Sequence, residues 1–179
     1  MRVNLDAHSP PVYSILVNAM AVDPETLRTV MRHWTTGVTI LTAREGVHVH
    51  GMTVNSFTSV SLEPPLVLVC LEKTVRTHAL VERSRAFAVS ILGEGQVAVS
   101  DRFAGRNTET KNRFEGLRTH TAVTGAPILS ENMGYLDCVV VAAHAAGTHT
   151  IFVAEVVAAK VQNSGGPLVY FNQGYRRLV

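Results

Sequence analysis

With 46% hydrophobic and only 17% charged residues, the 179-residue chain suits one well-buried domain and argues against a disordered chain or two full domains. The formal net charge of +2 excludes the clustered basic footprint of a nucleic-acid binder. Arg176-Arg177 and the arginines from Arg102 to Arg118 are scattered and mixed with Glu109 and Glu115.

Residues 1–22 read as an irregular extension, broken by Pro10-Pro11, with no signal-peptide order of basic, apolar and small residues. A helix is predicted next. Asp23 is a good N-cap, Pro24 suits the first helical position, and Leu27, Val30, Met31 and Trp34 fall on one apolar face until Gly37 stops the run. The domain proper is expected over residues 23–179.

Strands dominate from there. Val38–Ala43 and Val47–Val54 form a hairpin around Arg44-Glu45-Gly46. Phe57–Leu62 follows, then the Pro64-Pro65 corner. Leu66–Leu71 reads as an apolar strand buried on both faces. Thr74–Arg83 is predicted helical, Phe87–Leu92 a strand, and Gly95–Phe103 a second short helix. A polar connection spans 104–134. Tyr135–Ala143 and Thr150–Val161 are long strands hinged near Gly147, residues 163–166 are a turn, and Leu168–Phe171 is a last short strand. About seven strands with few helices predict a mainly β, closed or nearly closed antiparallel barrel.

Several motifs compete for the chemistry. Gly93-Glu94-Gly95-Gln96-Val97-Ala98 matches a dinucleotide-binding turn, but the following segment lacks the second parallel strand that such a turn needs. Eight histidines invite a metal, yet no ligand spacing exists, and His48 and His50 read as solvent-facing hairpin residues. No nucleophile elbow occurs. Cys70 and Cys138 lie far apart in apolar runs and read as buried free thiols of a cytoplasmic protein. No apolar run approaches membrane-spanning length, and the low charge favours a homo-oligomer.

The segment Gly51–His78 is more informative. Thr53, Asn55 and Ser56 can reach out while Met52, Val54 and Phe57 pack, which suits the donor and acceptor edge of a flat ring. A plain barrel strand would show the same spacing. Lys73-Thr74 and Arg76-Thr77 stand at a strand-to-helix junction, where free N–H groups, hydroxyls and cations can cradle a phosphate. An N-cap threonine with solvated charges reads equally well.

The runs Trp34-Thr35-Thr36-Gly37-Val38-Thr39, Gly51-Met52-Thr53-Val54-Asn55-Ser56-Phe57 and Ser59 to Leu66 (SVSLEPPL) resemble the flavin reductase-like family, which includes reductase components of two-component flavin-dependent monooxygenases. The likeness continues through Phe87-Ala88-Val89-Ser90, Thr148–Val156 and Pro167–Phe171, covering most of Asp23–Arg177. It implies an FMN-binding split β-barrel, a homodimer, and FMN or FAD reduced by NADH or NADPH with no protein nucleophile. It also implies delivery of reduced flavin to a monooxygenase. By the same resemblance, Met52, Thr53, Val54, Asn55 and Ser56 run along the flavin ring and ribityl chain, flanked by Cys70 and Leu71. Lys73, Thr74, Arg76 and Thr77 hold the phosphate, and Arg102 and Phe103 lie near the flavin. His149, Tyr170, Tyr175 and Arg176 approach the nicotinamide. The family's Gly-Asp-His reads Gly147-Thr148-His149 here, which motivates an alternative: a flavin-binding electron-transfer or storage protein without NAD(P)H turnover.

Overall fold

The computed structural model describes residues 22–106, 112–162 and 165–178. The irregular extension therefore lies, but for Val22, outside the described residues, as do Asn163 and Ser164 of the 163–166 turn. The chain divides into two compact units, one ending at Trp34 and the other starting at Thr35.

In the first unit, helix α1 spans Pro24–Met31. The Asp23 side chain accepts the backbone N–H groups of Glu25 and Thr26, both at 3.0 Å. Two of the otherwise unpartnered N-terminal donors are thus satisfied, as the N-cap reading requires.

The second unit is a curled antiparallel sheet. Strands β2 (Thr39–Glu45), β3 (His48–Val54), β4 (Phe57–Leu62), β5 (Pro65–Glu72), β6 (Ala86–Ile91), β9 (Gly134–Ala146) and β10 (His149–Val161) pair in the order β3-β2-β6-β9-β10-β5-β4. The two outermost strands, β3 and β4, are consecutive in the chain with only Asn55-Ser56 between them. Two residues reach roughly 7 Å, so the sheet must curl until its edges nearly meet. No ladder joins β3 to β4. The result is a barrel split at one seam, with Asn55 and Ser56 at the split.

Short pairs complete the unit. β1 (Thr36–Gly37), β11 (Val169–Phe171) and β12 (Gly174–Arg176) form a three-stranded sheet, and β7 (Thr119–His120) pairs with β8 (Ile128–Leu129). Helices α2 (Arg76–Ser84) and α3 (Val97–Phe103) flank the barrel. The polar 104–134 connection conceals β7 and β8, and β12 escaped the sequence reading; strands of two or three residues leave no periodicity to read.

One core fills the barrel with Leu41, Val54, Val69, Leu71, Leu80, Val81, Phe87 and Phe152. A second packs Val38, Ile40, Leu92, Phe103, Leu129 and Leu168. Strand β5 departs from its expected burial on both faces: Val67, Val69 and Leu71 are buried while Leu66, Leu68 and Cys70 are half-exposed. One face of an antiparallel sheet suffices for the core, and an apolar residue on the other face hides the alternation. Cys70 is accordingly half-buried, while Cys138 is fully buried; both are free. Burial, then the Asp137 charge, pushes the Cys138 thiol up to about 12. The dinucleotide-like turn at Gly93 follows β6, whose two neighbours are both antiparallel, so no βαβ unit exists there.

Candidate functional site

Two adjoining cavities open beside the split, sharing Thr53 and Ala104. The smaller, ≈ 210 Å³, is lined among others by Val38, Asn55, Ser100, Arg106, Tyr170 and Tyr175. The larger, ≈ 420 Å³, is lined by His50, Met52, Val75, Arg76, Thr77, Phe103 and Arg113 in addition to the shared pair. A cavity of ≈ 520 Å³ lies elsewhere, between Gly93–Gln96 and Ser130–Met133. It carries no cation, and its acids Glu94 and Glu131 already face Arg177 and Arg118 at 3.7 and 3.2 Å. Chemistry therefore favours the paired cavities.

Their floor is built by a close approach of α3 to β3. Thr53 Oγ1 donates to the Ser100 carbonyl at 2.6 Å. Arg113 Nη1 donates at 2.9 Å to both the Gly51 and Phe103 carbonyls, joining strand to helix end. Gly51 permits the approach, since a Cβ there would stand 2.8 Å from Phe103 Cε1.

The smaller lobe has an aromatic wall. Tyr170 and Tyr175, paired across β11 and β12, meet edge to face at 5.6 Å. The Arg106 guanidinium lies over both rings, at 5.9 and 5.8 Å from their centroids, and forms an ion pair with Asp101 at 2.9 Å. The Tyr175 hydroxyl donates to Asp101 at 2.7 Å and lies 3.0 Å from Ser100 Oγ. Burial leads the causes that hold this phenol above its ordinary range, with the Asp101 carboxylate adding to it.

The larger lobe is cationic. Helix α2 starts at Arg76 after an N-cap, Val75, that provides no side-chain hydrogen bond. Thr77 is buried, with Oγ1 2.7 Å from His50 Nδ1. His50 is thus half-buried against α2, and only His48 of the two hairpin histidines faces solvent. Burial first, then the Arg113 and Arg76 charges, lower the His50 imidazole to about 4. Strand alternation places both histidines on one face but cannot see α2, whose Leu80 and Val81 join the core on that side beside Ala43, the ladder partner of His50.

Of the residues singled out in the sequence, Met52, Thr53, Asn55, Arg76, Thr77, Phe103, Tyr170 and Tyr175 line the two lobes. Val54 and Leu71 are buried in the barrel core. Ser56 and Cys70 bond each other, extending the β4–β5 ladder by one step: Ser56 Oγ donates to the Cys70 carbonyl at 2.7 Å and Cys70 N–H to the Ser56 carbonyl at 3.2 Å. Lys73 Nζ donates to the Gly147 carbonyl at 2.7 Å and Thr74 Oγ1 to Glu72 at 2.8 Å, so neither lines the cavities. His149 stands at the same hairpin, with Nδ1 2.9 Å from Thr148 Oγ1. Arg102 donates to the Glu115 carbonyl at 2.7 Å, and Arg176 to the Tyr175 carbonyl at 2.8 Å.

The lobes also contain His50, Ser100, Ala104, Arg106 and Arg113, which sequence reasoning missed. Ser100, Phe103 and Ala104 follow i, i+3, i+4 spacing along α3 and its C-cap, a findable signal. The two arginines sit in an irregular connection and give none.

Residues 31–179 match the flavin reductase like domain. The chain is 39% identical over 158 residues to the reductase component of 4-nitrophenol 4-monooxygenase/4-nitrocatechol 2-monooxygenase from Rhodococcus opacus, covering 88% of this chain and 83% of that one. It is 39% identical over 155 residues to the reductase component of 4-hydroxyphenylacetate 3-monooxygenase from Thermus thermophilus, covering 87% and 97%. The structure of a Streptomyces globisporus NADH:FAD oxidoreductase is similar with a TM-score of 0.81 at 34% identity, over 88% of this chain and 96% of that one. Fold and matches define one class of protein, a split-barrel flavin-reducing enzyme. The chain belongs to the flavin reductase-like family. Its activity is that of an NAD(P)H-dependent flavin reductase. No helix among the described residues is long and apolar enough to cross a membrane.

Proposed function

We propose that the paired lobes seat FMN or FAD for reduction by NADH or NADPH, and that the reduced flavin passes to a partner monooxygenase. The observation that carries the reading is the continuity of the lobes at Thr53: amide and hydroxyl groups of Asn55 and Ser100 on one side, cations on the other. A ring with polar edges and a phosphate-bearing tail needs both. The names of the Rhodococcus and Thermus relatives, both reductase components, support the monooxygenase partner.

When bound, the nicotinamide supplies a hydride and the flavin accepts it; the protein's task is to hold the two rings in contact. Met52, Thr53 and Asn55 would lie along the flavin, Arg76 and Thr77 at its phosphate, and Tyr170 and Tyr175 against a ring face. Ser56 would continue the line of the flavin at the split with Cys70 flanking it, and His149, at the β10 end beside β5, would stand where the nicotinamide approaches. Val54 and Leu71 would act through the backbone alone. Lys73, Thr74, Arg102 and Arg176 would support the site from outside the lobes. A homodimer fits the exposed Val139, Val141 and Val157 on β9 and β10, which a second copy would cover.

Purified protein given each nicotinamide nucleotide with each flavin in excess is expected to consume the reduced nucleotide; no turnover in any of the four combinations overturns the reading. Tyr175→Phe is expected to cost about 1 kcal/mol in urea unfolding, the value of a lost hydroxyl bond. Tyr175→Leu also removes the ring, and should weaken flavin binding roughly three- to tenfold in a fluorescence titration. Unchanged flavin binding in Tyr175→Leu would remove this wall from the site.

A further inference from the structure

The ≈ 520 Å³ cavity at the start of α3 shares no lining residue with the paired lobes. Three chain segments cross-bond around it. Gln96 Nε2 donates to the Glu131 carbonyl at 2.7 Å, and Gln96 Oε1 accepts the Gly93 N–H at 2.9 Å. The Glu94 N–H donates to the Gly166 carbonyl at 2.9 Å and the Gln162 N–H to the Met133 carbonyl at 2.8 Å. The walls are therefore set before anything enters, which lowers the cost of binding. A single water needs only roughly 10–15 Å³, so the space takes an organic molecule.

One wall carries an acceptor with nothing to accept. Asn132 lines the cavity and is only 6% exposed. Its Nδ2 donates to the Leu129 carbonyl, which fixes the amide plane, and its Oδ1 has no donor among the described residues. A buried carbonyl left so is destabilising, and a donor entering the cavity removes that cost. Charge at the mouth selects the donor. Glu94 and Glu131 line the cavity and no Lys or Arg does. The arginines facing the two acids from outside, Arg177 and Arg118, are 74% and 83% exposed. Solvent weakens such pairs, and both carboxylates keep their attraction for another cation. Gly166 seats one of them, since a Cβ there would stand 3.3 Å from the Glu94 carboxyl. A metal ion would find too few ligands: among the described residues, no three His, Cys, Asp or Glu side chains gather.

We propose that this cavity binds a small organic ammonium ion, with its N–H groups donating to Asn132 Oδ1 and its charge held by Glu94 and Glu131. The alkyl body lies along Met133 and the backbone of Gly93 and Gly95. The site is independent of the flavin reading. Gln96 belongs to it at the N-cap of α3, whereas Ser100, Phe103 and Ala104 face the lobes from further along the same helix. Ammonium ion and flavin therefore bind together.

The test titrates the full chain with n-butylammonium, 1-butanol and butyrate at constant ionic strength, and follows the Asn132 side-chain amide by NMR. The ammonium ion is expected to shift that resonance saturably. It should bind at least about tenfold more tightly than 1-butanol, which offers a donor without the charge, and butyrate should cause no shift. Glu94→Gln and Glu131→Gln, both at positions open to solvent, should each weaken the ammonium ion at least about threefold, with flavin affinity unchanged. Asn132→Leu should abolish saturable binding; the two glutamate variants decide the case if that variant does not fold. Saturating FMN should leave the affinity for n-butylammonium as it was. The absence of a saturable shift would show a cavity that holds water only. Equal affinity for amine and alcohol, or an affinity that survives both glutamate variants, removes the selection by charge. Displacement by FMN puts the amine in the paired lobes. Each of these results overturns the proposal and leaves the flavin reading intact.

Discussion

Gly51→Ala is expected to destabilise the protein by about 1–3 kcal/mol and to weaken flavin binding together with it. The added methyl would stand 2.8 Å from Phe103 Cε1 and 3.1 Å from the Leu41 carbonyl. Neither neighbour yields easily. Phe103 is fully buried in the second core and meets Phe114 edge to face at 5.2 Å, while the Leu41 carbonyl belongs to the barrel backbone. Relief must come from α3 moving off β3, which stretches the Arg113 and Thr53 bonds that make the cavity floor. Urea unfolding gives the stability loss, and flavin titration gives the affinity. In Gly51→Ala combined with Phe103→Leu, the smaller ring-free side chain should recover part of the first loss. The two changes should then be less than additive. Additive losses, or a single variant as stable as the wild type, would show that the contact with Phe103 does not set the floor.

Much of this arrangement is legible in the chain because local rules and the fold agree. Asp23-Pro24 starts a helix for the reasons capping chemistry supplies, and Gly46, at φ 56°, turns the first hairpin where a glycine was expected. The motif resemblance covered the barrel and pointed to Met52, Thr53, Asn55, Arg76, Thr77, Phe103, Tyr170 and Tyr175, all of which reach the lobes. What failed has a common physical cause. His50, Arg106 and Arg113 acquire their surroundings only through packing between elements distant in sequence, and no spacing along the chain records a neighbour 27 or 62 residues away, as His50–Thr77 and Gly51–Arg113 are. Leu66–Leu71 misled in the opposite way: side chains alike on both faces hide a real alternation of burial.

The same blindness applies to polar residues in the middle of strands, and Asp137 is the one with the largest expected effect. It is fully buried on β9, between Ala88 and Ala158 in the ladders. Its carboxylate accepts the Thr124 backbone N–H at 2.8 Å and the Thr124 hydroxyl. On neighbouring strands, buried Thr42 donates to the Pro127 carbonyl, and buried Ser90 accepts the Leu129 N–H at 3.2 Å. These three polar side chains pin residues 124–129 against the outer face of the sheet, and Leu129 then joins the core that backs Phe103. Asp137→Ala removes a charged acceptor and leaves two half-buried Thr124 donors without it, so a loss of about 3–5 kcal/mol is expected at two charged hydrogen bonds of about 1.5–3 kcal/mol each. That is a large part of the stability of an ordinary domain. Asp137→Asn keeps one carbonyl acceptor and should lose less, about 1.5–3 kcal/mol. Urea unfolding separates the two variants, and hydrogen exchange at the Thr124 amide should accelerate more in the alanine variant. If both variants lose the same amount while Thr124 stays protected, the carboxylate is not what holds the segment, and the wall behind Phe103 must rest on Thr42 and Ser90 alone.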